Sequence, residues 1–432
     1  MKAKKKILIF TYYWPPSGGS GVQRWLYFSL ILKKMGWDPI IITVNENLAS
    51  YPLIDKSLEK LTKDLRVIKT NSCELLRIYS TFTTGNKISG IPQAEIQNKS
   101  LIGKIFAFIR GNFFIPDARK GWNKFAIKKG SNLIEKEKIE FIVTTGPPHS
   151  THLIGLNLIK KFPLKWIADF RDPWSEIFYI KDLYRLSSSQ RKDEKLEKKV
   201  LLNANVILTT LGNNFHKLLK NKIYLDNKLY SISNGYDKEL IDSIEAIKPN
   251  CFHIVYTGIL TKNQEYNLLI KSLLKVSSKY PNYAIKFSLA GNIPISIIEE
   301  FKTKLPNVKI IYKGYLEHKE AIRLMKSSHL LLNFIFKKAE MYMISGKILE
   351  YIACNIPILC FGKEKSPVSE LLSNTSNSIV VSENNSDLTY QFMENLIQRW
   401  FKGKPLENSF KGLEDYTRES LTKKLNKILI EI

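Results

Sequence analysis

The sequence predicts an α/β protein made of two doubly wound, Rossmann-like domains. Short runs of β-branched and apolar residues recur along the 432 residues, and most are followed by a helix-length amphipathic segment. This alternation is typical of parallel sheets that are covered by helices. The pattern restarts after Asn234-Gly235, and the chain is too long for one ordinary hydrophobic core, so two domains are expected.

Six apolar runs in the first half are predicted strands: KILIFTYYW, PIIITV, EFIVTTG, KWIADF, NVILTT and YSIS. Helices are predicted over residues 22–35, 151–162 and 213–220 from their apolar periodicity. Residues 71–120 fit the alternation poorly. Their stretch LIGKIFAFIRGNFF interleaves apolar residues with Lys104 and Arg110, which suits either a packed helix or an acceptor-side or membrane-surface element.

The second half repeats the pattern with the predicted strands FHIVYTG, AIKFSLAG, VKIIYKG, HLLLNFIF and IPILCFG. Helices are predicted between the first two strands, over 319–326 and over 347–354. The polar stretch 237–250 contains Pro249 and lacks apolar periodicity, so it marks the boundary. The assignment is 1–240 for the first domain, 241–412 for the second and 413–432 for a terminal helical segment.

The net charge of +26 is uneven, with +17 on residues 1–200 and +9 on the remainder. Such an excess suits anionic partners, for example nucleotide diphosphates or an anionic lipid surface, although a lysine-rich solvated surface would look the same. No zinc-finger, RNP or helix-turn-helix pattern is present, which argues against nucleic acid as a partner.

The four cysteines have no metal-ligand spacing, which predicts reduced thiols and a cytoplasmic location. No apolar run approaches the roughly 18 residues of a membrane-spanning helix, so any membrane contact is expected to be peripheral. There is no Asp-x-Asp motif or other constellation that demands a metal. Neither a metal nor a cofactor is therefore expected.

A glycine-rich loop, containing Gly18, Gly19 and Gly21, joins the first predicted strand to the first helix. Such a loop lets backbone N–H groups and the helix N-terminus approach a diphosphate. Its spacing does not match G-x-G-x-x-G, and no acidic residue ends the second strand, so a dinucleotide site is not predicted. A turn without a ligand remains the alternative.

Ionisable residues follow two further strands of the first domain. His149 comes after FIVTTGPP, and Asp169, Arg171 and Asp172 end KWIADFRDP. Ligands of open α/β sheets bind at the carboxyl ends of strands, so these residues form a candidate catalytic group. An internal ion pair is the alternative for the charged cluster, and His149 or His152 could simply cap or pack there.

Two segments resemble family 4 retaining glycosyltransferases, which have the GT-B fold. The loop with Gly18 and Gly19, its helix ending at Met35-Gly36-Trp37 and the next strand are similar to the opening of the family. SGKILEYIACNIPIL at 345–359 is similar to its motif of a glutamate-bearing helix leading into a buried strand. PPHSTHLIGLNL and WIADFRDPW resemble a bacterial polysaccharide-type subgroup.

The resemblance covers nearly the whole chain and implies two Rossmann-like domains facing a cleft, with the terminal helix packing back on the first domain. It implies retaining, metal-independent transfer of a sugar from a nucleotide-sugar donor to a saccharide or lipid-linked acceptor. The implied donor-binding residues are Gly18, Gly19, Gly258, Lys262, Gly346, Lys347 and Glu350. Glu350 would accept the ribose hydroxyls and the lysines would meet phosphate. A solvated Lys262 and a plain Lys347–Glu350 salt bridge are the alternatives.

The sequence departs from the family at two positions. Tyr342 stands where many members carry a second glutamate, and Ile259 stands where an arginine is usual. A GT-B nucleotide-sugar epimerase, a glycoside phosphorylase or a non-catalytic nucleotide-sugar-binding protein therefore remain alternatives. The positive charge of the first half and the aromatic and basic stretch from Leu101 to Lys129 also predict that the protein acts at the inner face of the cytoplasmic membrane. The expected process is bacterial surface polysaccharide synthesis.

Overall fold

The computed structural model of the chain describes residues 4–51, 53–74, 101–225, 227–337 and 339–432. The chain divides into two compact units. The first unit contains Met1–Asn234 together with Leu421–Ile432, and the second unit contains Gly235–Ser420. Residues 235–240, assigned to the first domain from the sequence, thus fall in the second unit. Part of the poorly patterned stretch 71–120 lies outside the described residues.

The first unit is built on a parallel sheet of seven strands in the order β3-β2-β1-β4-β5-β6-β7. Its strands are β1 Lys5–Phe10, β2 Trp37–Val44, β3 Arg66–Thr70, β4 Phe141–Gly146, β5 Lys165–Phe170, β6 Val206–Thr209 and β7 Leu229–Ser231. The central strands β1, β4 and β5 are almost wholly buried. This burial explains their unbroken apolar runs, because helices cover both faces of a parallel sheet.

The helices of the first unit are α1 Ser20–Lys34, α2 Leu101–Phe113, α3 Asn123–Glu137, α4 His152–Leu158, α5 Ser187–Asn203 and α6 Asn213–Lys220. The last helix of the chain, α14 Arg418–Glu431, contributes Leu425 and Leu429 to the same core as Ile9 and Trp25. Trp37 Nε1 also donates to Asn426 Oδ1 at 2.7 Å. The end of the chain therefore packs on the first unit.

The second unit holds a parallel six-stranded sheet in the order β10-β9-β8-β11-β12-β13. Its strands are β8 Phe252–Thr257, β9 Ile285–Ala290, β10 Val308–Tyr312, β11 Leu330–Phe334, β12 Ile358–Phe361 and β13 Ser378–Val381. Its helices are α7 Lys238–Ser243, α8 Asn267–Lys279, α9 Ile295–Lys304, α10 His318–Lys326, α11 Ile348–Ala353, α12 Pro367–Leu372 and α13 Ser386–Phe401. The predicted doubly wound α/β class is confirmed for both units.

The direction of winding reverses once in each sheet. In the first unit the reversal lies between β1 and β4, and in the second it lies between β8 and β11. Loops that leave the carboxyl ends of two such strands diverge, and the crevice between them is where open α/β sheets bind ligands. The two crevices are bordered by residues 11–19 and 147–151, and by residues 258–266 and 335–347.

Neighbouring strands of the second sheet end in glycines that approach each other closely. Gly258, Gly291 and Gly314 have φ of +131°, +121° and +65°. Gly258 N donates to the Ala290 carbonyl at 2.8 Å, and Gly291 N donates to the Gly314 carbonyl at 2.7 Å. A Cβ on Gly291 would lie 2.1 Å from the Gly258 carbonyl oxygen. Only glycine fits this edge without displacing backbone.

Among the elements that the sequence pattern missed, three were hidden for a clear physical reason. The strands β3 and β13 lie at sheet edges and are only partly buried, so they do not read as apolar runs. The buried face of α5 includes Ser189, Asp193 and Glu197, which conceal its helical periodicity. Among the described residues, no helix is both long enough and apolar enough to cross a membrane.

Candidate functional site

Lys347 lies at the crevice of the second unit, immediately before α11. Its Nζ donates to the Thr257 carbonyl at the end of β8 and lies 3.8 Å from the centre of the Tyr256 ring. A Cβ on Gly258 would lie 2.9 Å from this Nζ, so the glycine makes room for the ammonium group. Desolvation lowers the pKa of Lys347 to about 7. Near neutral pH this amine therefore gains or loses a proton easily.

Glu350 follows one turn later but does not pair with Lys347. Its Oε1 lies 2.7 Å from His318 Nε2 and 3.8 Å from an Arg418 guanidinium nitrogen. Burial acts to raise the pKa of Glu350, but His318 and Arg418 outweigh it and lower that pKa. The carboxylate is thus held ionised. No described residue donates a hydrogen bond to Oε2, which leaves that oxygen for a ligand.

The loops that border this crevice are tied to each other. Gln264 Nε2 donates to the Phe334 carbonyl at 2.9 Å, and Lys337 N donates to the Asn263 carbonyl at 3.2 Å. Gly346 lies in the turn closed by the bond from Ile348 N to the Ser345 carbonyl. These bonds fix the backbone that carries Gly258, Gly346 and Lys347.

The remaining residues that the resemblance places in this loop region are exposed to solvent or only half-buried. Lys262 is exposed, and Glu300 in α9 is close enough to interact with its charge. Ile259 is exposed and Tyr342 is half-buried. The exposure of Lys262 therefore favours the alternative given above, in which it is a solvated lysine.

Asp169 in the first unit lies at the centre of an internal ion pair. Its carboxylate is fully buried and lies 2.9 Å from Arg24 Nη2. Trp25 Nε1 and Thr145 Oγ1 donate to Oδ2 at 2.7 and 2.8 Å. With both oxygens occupied, Asp169 joins α1 to β4 and β5. This geometry favours the internal ion pair, the alternative in the sequence analysis, over contact with a reacting group.

Arg171 lies against the glycine-rich loop. Its Nε donates to the Gly146 carbonyl at 3.3 Å, and its Nη2 donates to the Pro147 carbonyl. A Cβ on Gly21 would lie 1.6 Å from Nη1, so the glycine leaves room for the guanidinium in this position. Gly19 caps α1 with φ of +101° and provides no side-chain bond to the first turn. A guanidinium and an open helix N-terminus thus meet at this crevice, both suited to an anion.

Asp172 contrasts with Asp169. Its side chain is half-buried, and none of the described residues forms a hydrogen bond with it. Burial raises the pKa of Asp172, Arg171 lowers it, and the net shift is upward. Of the two carboxylates that were predicted to be catalytic, Asp172 is the one that a ligand can reach.

The two histidines of the first unit pack against aromatic rings. His152 Nδ1 lies 2.9 Å from Thr144 Oγ1, and burial lowers the pKa of His152 to about 3. His149 stacks on Trp174 with 5.2 Å between ring centres. Burial, with His152 and Arg171, also lowers the pKa of His149 well below its usual value, although the Pro173 carbonyl opposes the shift. Both rings are therefore neutral at physiological pH.

Sequence reasoning missed the partners of the site residues. His318 and Arg418 hold Glu350, and Arg24 neutralises Asp169. These residues are far from their partners along the chain, with 145 positions between Arg24 and Asp169. No local signal identifies such pairs, because the sheet topology alone brings them together. Among the described residues, no group of three or more His, Cys, Asp or Glu side chains could hold a metal ion.

The contrast between the two aspartates predicts different effects of one substitution. Asp169→Asn should lower the free energy of unfolding by about 3 kcal/mol, because it leaves Arg24 buried without its counter-charge. Asp172→Asn should change it by less than about 1 kcal/mol, because no hydrogen bond is lost. Urea unfolding followed by tryptophan fluorescence measures both, and equal destabilisation would contradict this assignment.

Comparisons with known proteins agree with this architecture. Residues 251–399 match the family model described as Glycosyl transferases group 1. No curated protein matches the sequence. A glycosyltransferase from Rickettsia africae superposes with a TM-score of 0.62 at 16% identity, covering 99% of this chain and 98% of that one.

Two further solved structures are similar over the whole length. Sucrose-phosphate synthase from Thermosynechococcus elongatus has a TM-score of 0.63 at 11% identity, covering 99% of each chain. Anabaena HepE, in complex with UDP-glucose, has a TM-score of 0.61 at 10% identity, covering 99% of this chain and 100% of that one. These likenesses confirm the GT-B fold. Together, the fold and the domain at 251–399 indicate a glycosyltransferase.

Proposed function

We propose that this protein transfers a sugar from a nucleotide-sugar donor to an acceptor hydroxyl, and that the second unit binds the donor. The observation that carries the proposal is the arrangement at the β8/β11 crevice. The ammonium of Lys347 lies at Gly258, and Glu350 presents a carboxylate oxygen one turn further along. A cation suits the diphosphate and a carboxylate suits ribose hydroxyls. The UDP-glucose in the HepE structure supports a donor of this class.

The chemistry we propose is retaining and needs no metal. The leaving nucleotide diphosphate gains negative charge, which Lys347 would stabilise directly from a site of low dielectric constant. In the first unit, Asp172 would accept a hydrogen bond from an acceptor or donor hydroxyl, while Arg171 and the N-terminus of α1 would supply positive potential. Positioning and electrostatics of this kind supply much of the rate enhancement of group transfer. The domain match does not favour the epimerase or non-catalytic alternatives.

The first test is donor binding by Glu350→Gln. Isothermal titration calorimetry with UDP, run in EDTA, should show at least about a tenfold loss of affinity, equal to about 1.4 kcal/mol. Glu340→Gln is the matched control, because Glu340 is half-buried in the same loop region and pairs with Lys363 at 3.8 Å. The control should bind as the parent protein does. UDP binding that persists in Glu350→Gln would refute the ribose assignment, and binding that requires Mg²⁺ would refute metal independence.

The lowered pKa of Lys347 predicts a pH dependence. The amine is half-protonated near pH 7 in the free protein and must be charged to hold the diphosphate. Raising the pH from 7 to 8.5 should therefore weaken UDP-glucose binding by about tenfold, since a proton must be taken up on binding. Lys347→Arg, which stays charged, should bind independently of pH over this range. Equal affinity of the parent protein at both values would contradict a role for Lys347.

We also propose that the acceptor is a glycan or lipid-linked saccharide at the inner face of the cytoplasmic membrane, in bacterial surface polysaccharide synthesis. The support is a stripe on α2 with i, i+4 spacing. Its members Leu101, Ile105 and Phe113 are 79%, 55% and 68% exposed. Lys104 lies beside them and is also exposed. An apolar stripe with adjacent lysines on a unit of high positive charge suits an anionic lipid surface.

The double substitution Ile105→Ser and Phe113→Ser tests the membrane assignment. Co-sedimentation with phosphatidylglycerol vesicles at low salt should fall several-fold, because the apolar contact is lost. Ile247→Ser is the control, since Ile247 is 93% exposed in the second unit. Equal recovery of the parent protein with neutral and anionic vesicles would favour a soluble acceptor instead.

A further inference from the structure

The first unit contains a cavity next to the β1/β4 crevice. It lies between the C-terminal half of α2, the loop after β4 and residues 174–183, and its volume is about 30 Å³. Apolar side chains such as Phe114, Ile177 and Leu183 form much of its wall. Six of the thirteen lining residues are ionisable, so the partners of these groups determine what the cavity can bind.

Arg110 contributes a cation without a counterpart to this cavity. No hydrogen bond or ion pair joins its guanidinium to any described residue. Burial lowers the pKa of Arg110, while the nearby Asp117 and Tyr179 act in the opposite direction. Asp117 is already engaged, since it accepts from Ser150 N and Ser150 Oγ, both at 2.8 Å. The guanidinium of Arg110 therefore has no direct partner among the described residues, and Asp117 acts on it only at longer range.

Arg185, the other cation of the lining, has a carboxylate partner, although its Nε is buried without a hydrogen bond to a described residue. Its Nη1 pairs with Asp193, and its Nη2 donates to the Pro116 carbonyl at 2.9 Å. Asp193 also accepts from Trp174 Nε1 at 2.8 Å. The charges of Arg185 and Asp193 cancel each other, so this ion pair neither neutralises Arg110 nor attracts an anion.

His149 adds an unsatisfied polar group to the same wall. It is buried, and neither ring nitrogen meets the geometry of a hydrogen bond with any described residue, although the Pro173 carbonyl is near enough to affect its pKa. The neutral imidazole carries one N–H that an oxygen acceptor could satisfy. Buried donors without acceptors are costly.

We propose that this cavity binds the acidic group of the acceptor sugar, a carboxylate or a phosphate. The inference rests on the proposed function, because it names the class of acceptor. An oxyanion would pair with the half-buried guanidinium of Arg110 in bidentate geometry and could accept from His149. The apolar wall would exclude water around the contact.

The test compares glucose 6-phosphate, glucuronate and glucose by isothermal titration calorimetry. The parent protein should bind at least one of the two acidic sugars about tenfold more tightly than glucose, and Arg110→Gln should abolish that preference. Arg191→Gln is the matched control, because Arg191 is an exposed arginine in α5. It should keep the preference. An acidic preference that is absent in the parent or unchanged in Arg110→Gln would overturn the inference.

Two further measurements separate the possible causes of failure. UDP is titrated into each protein, and normal UDP binding without any acidic preference would overturn this inference while the proposed function stands. Absence of UDP binding in the parent would instead count against the proposed function. Phosphatidylglycerol vesicles test the lipid source of phosphate, and a loss confined to vesicle binding in Arg110→Gln would assign Arg110 to the membrane surface and overturn the inference.

Discussion

The reversal of winding in each parallel sheet is the constraint on which the candidate sites depend. Loops on either side of the reversal point leave in opposite directions, which opens a crevice at the carboxyl ends of the central strands. In the second unit this brings Gly258 and Lys347 together from separate loops. In the first unit it brings the glycine-rich loop to Arg171. The residues proposed for function are thus grouped by sheet topology.

Within these crevices, charged side chains with a structural role are paired with a partner of opposite charge, and several of those proposed for function are not. Asp169 and Arg185 each have an ion-pair partner of opposite charge, and these pairs hold elements together. Lys347 is held by a carbonyl oxygen and an aromatic face, without a carboxylate partner among the described residues. Arg110 and Asp172 likewise lack a hydrogen-bonded partner there. Charged groups that are fully or partly removed from water without such compensation are the ones for which a ligand changes the energy most.

The sequence was sufficient for the fold class and for the position of most strands, because buried parallel strands are unbroken apolar runs. It also singled out Lys347 and Glu350 as candidates, because their motif is local. It could not show that Asp169 is neutralised by Arg24 or that Glu350 is held by His318, since these pairs form only in the folded chain. Helix α5 was missed because its buried face carries Asp193 and Glu197, whose partners lie elsewhere in the first unit.

We propose that the β8/β11 crevice binds a nucleotide diphosphate. A crystal structure of the protein with UDP tests this proposal. We expect the β-phosphate within hydrogen-bond distance of Lys347 Nζ, with that ammonium moved from the Thr257 carbonyl, and a ribose hydroxyl on the free oxygen of Glu350. UDP bound elsewhere, with Lys347 still held by Thr257 and Glu350 only by His318 and Arg418, would contradict it.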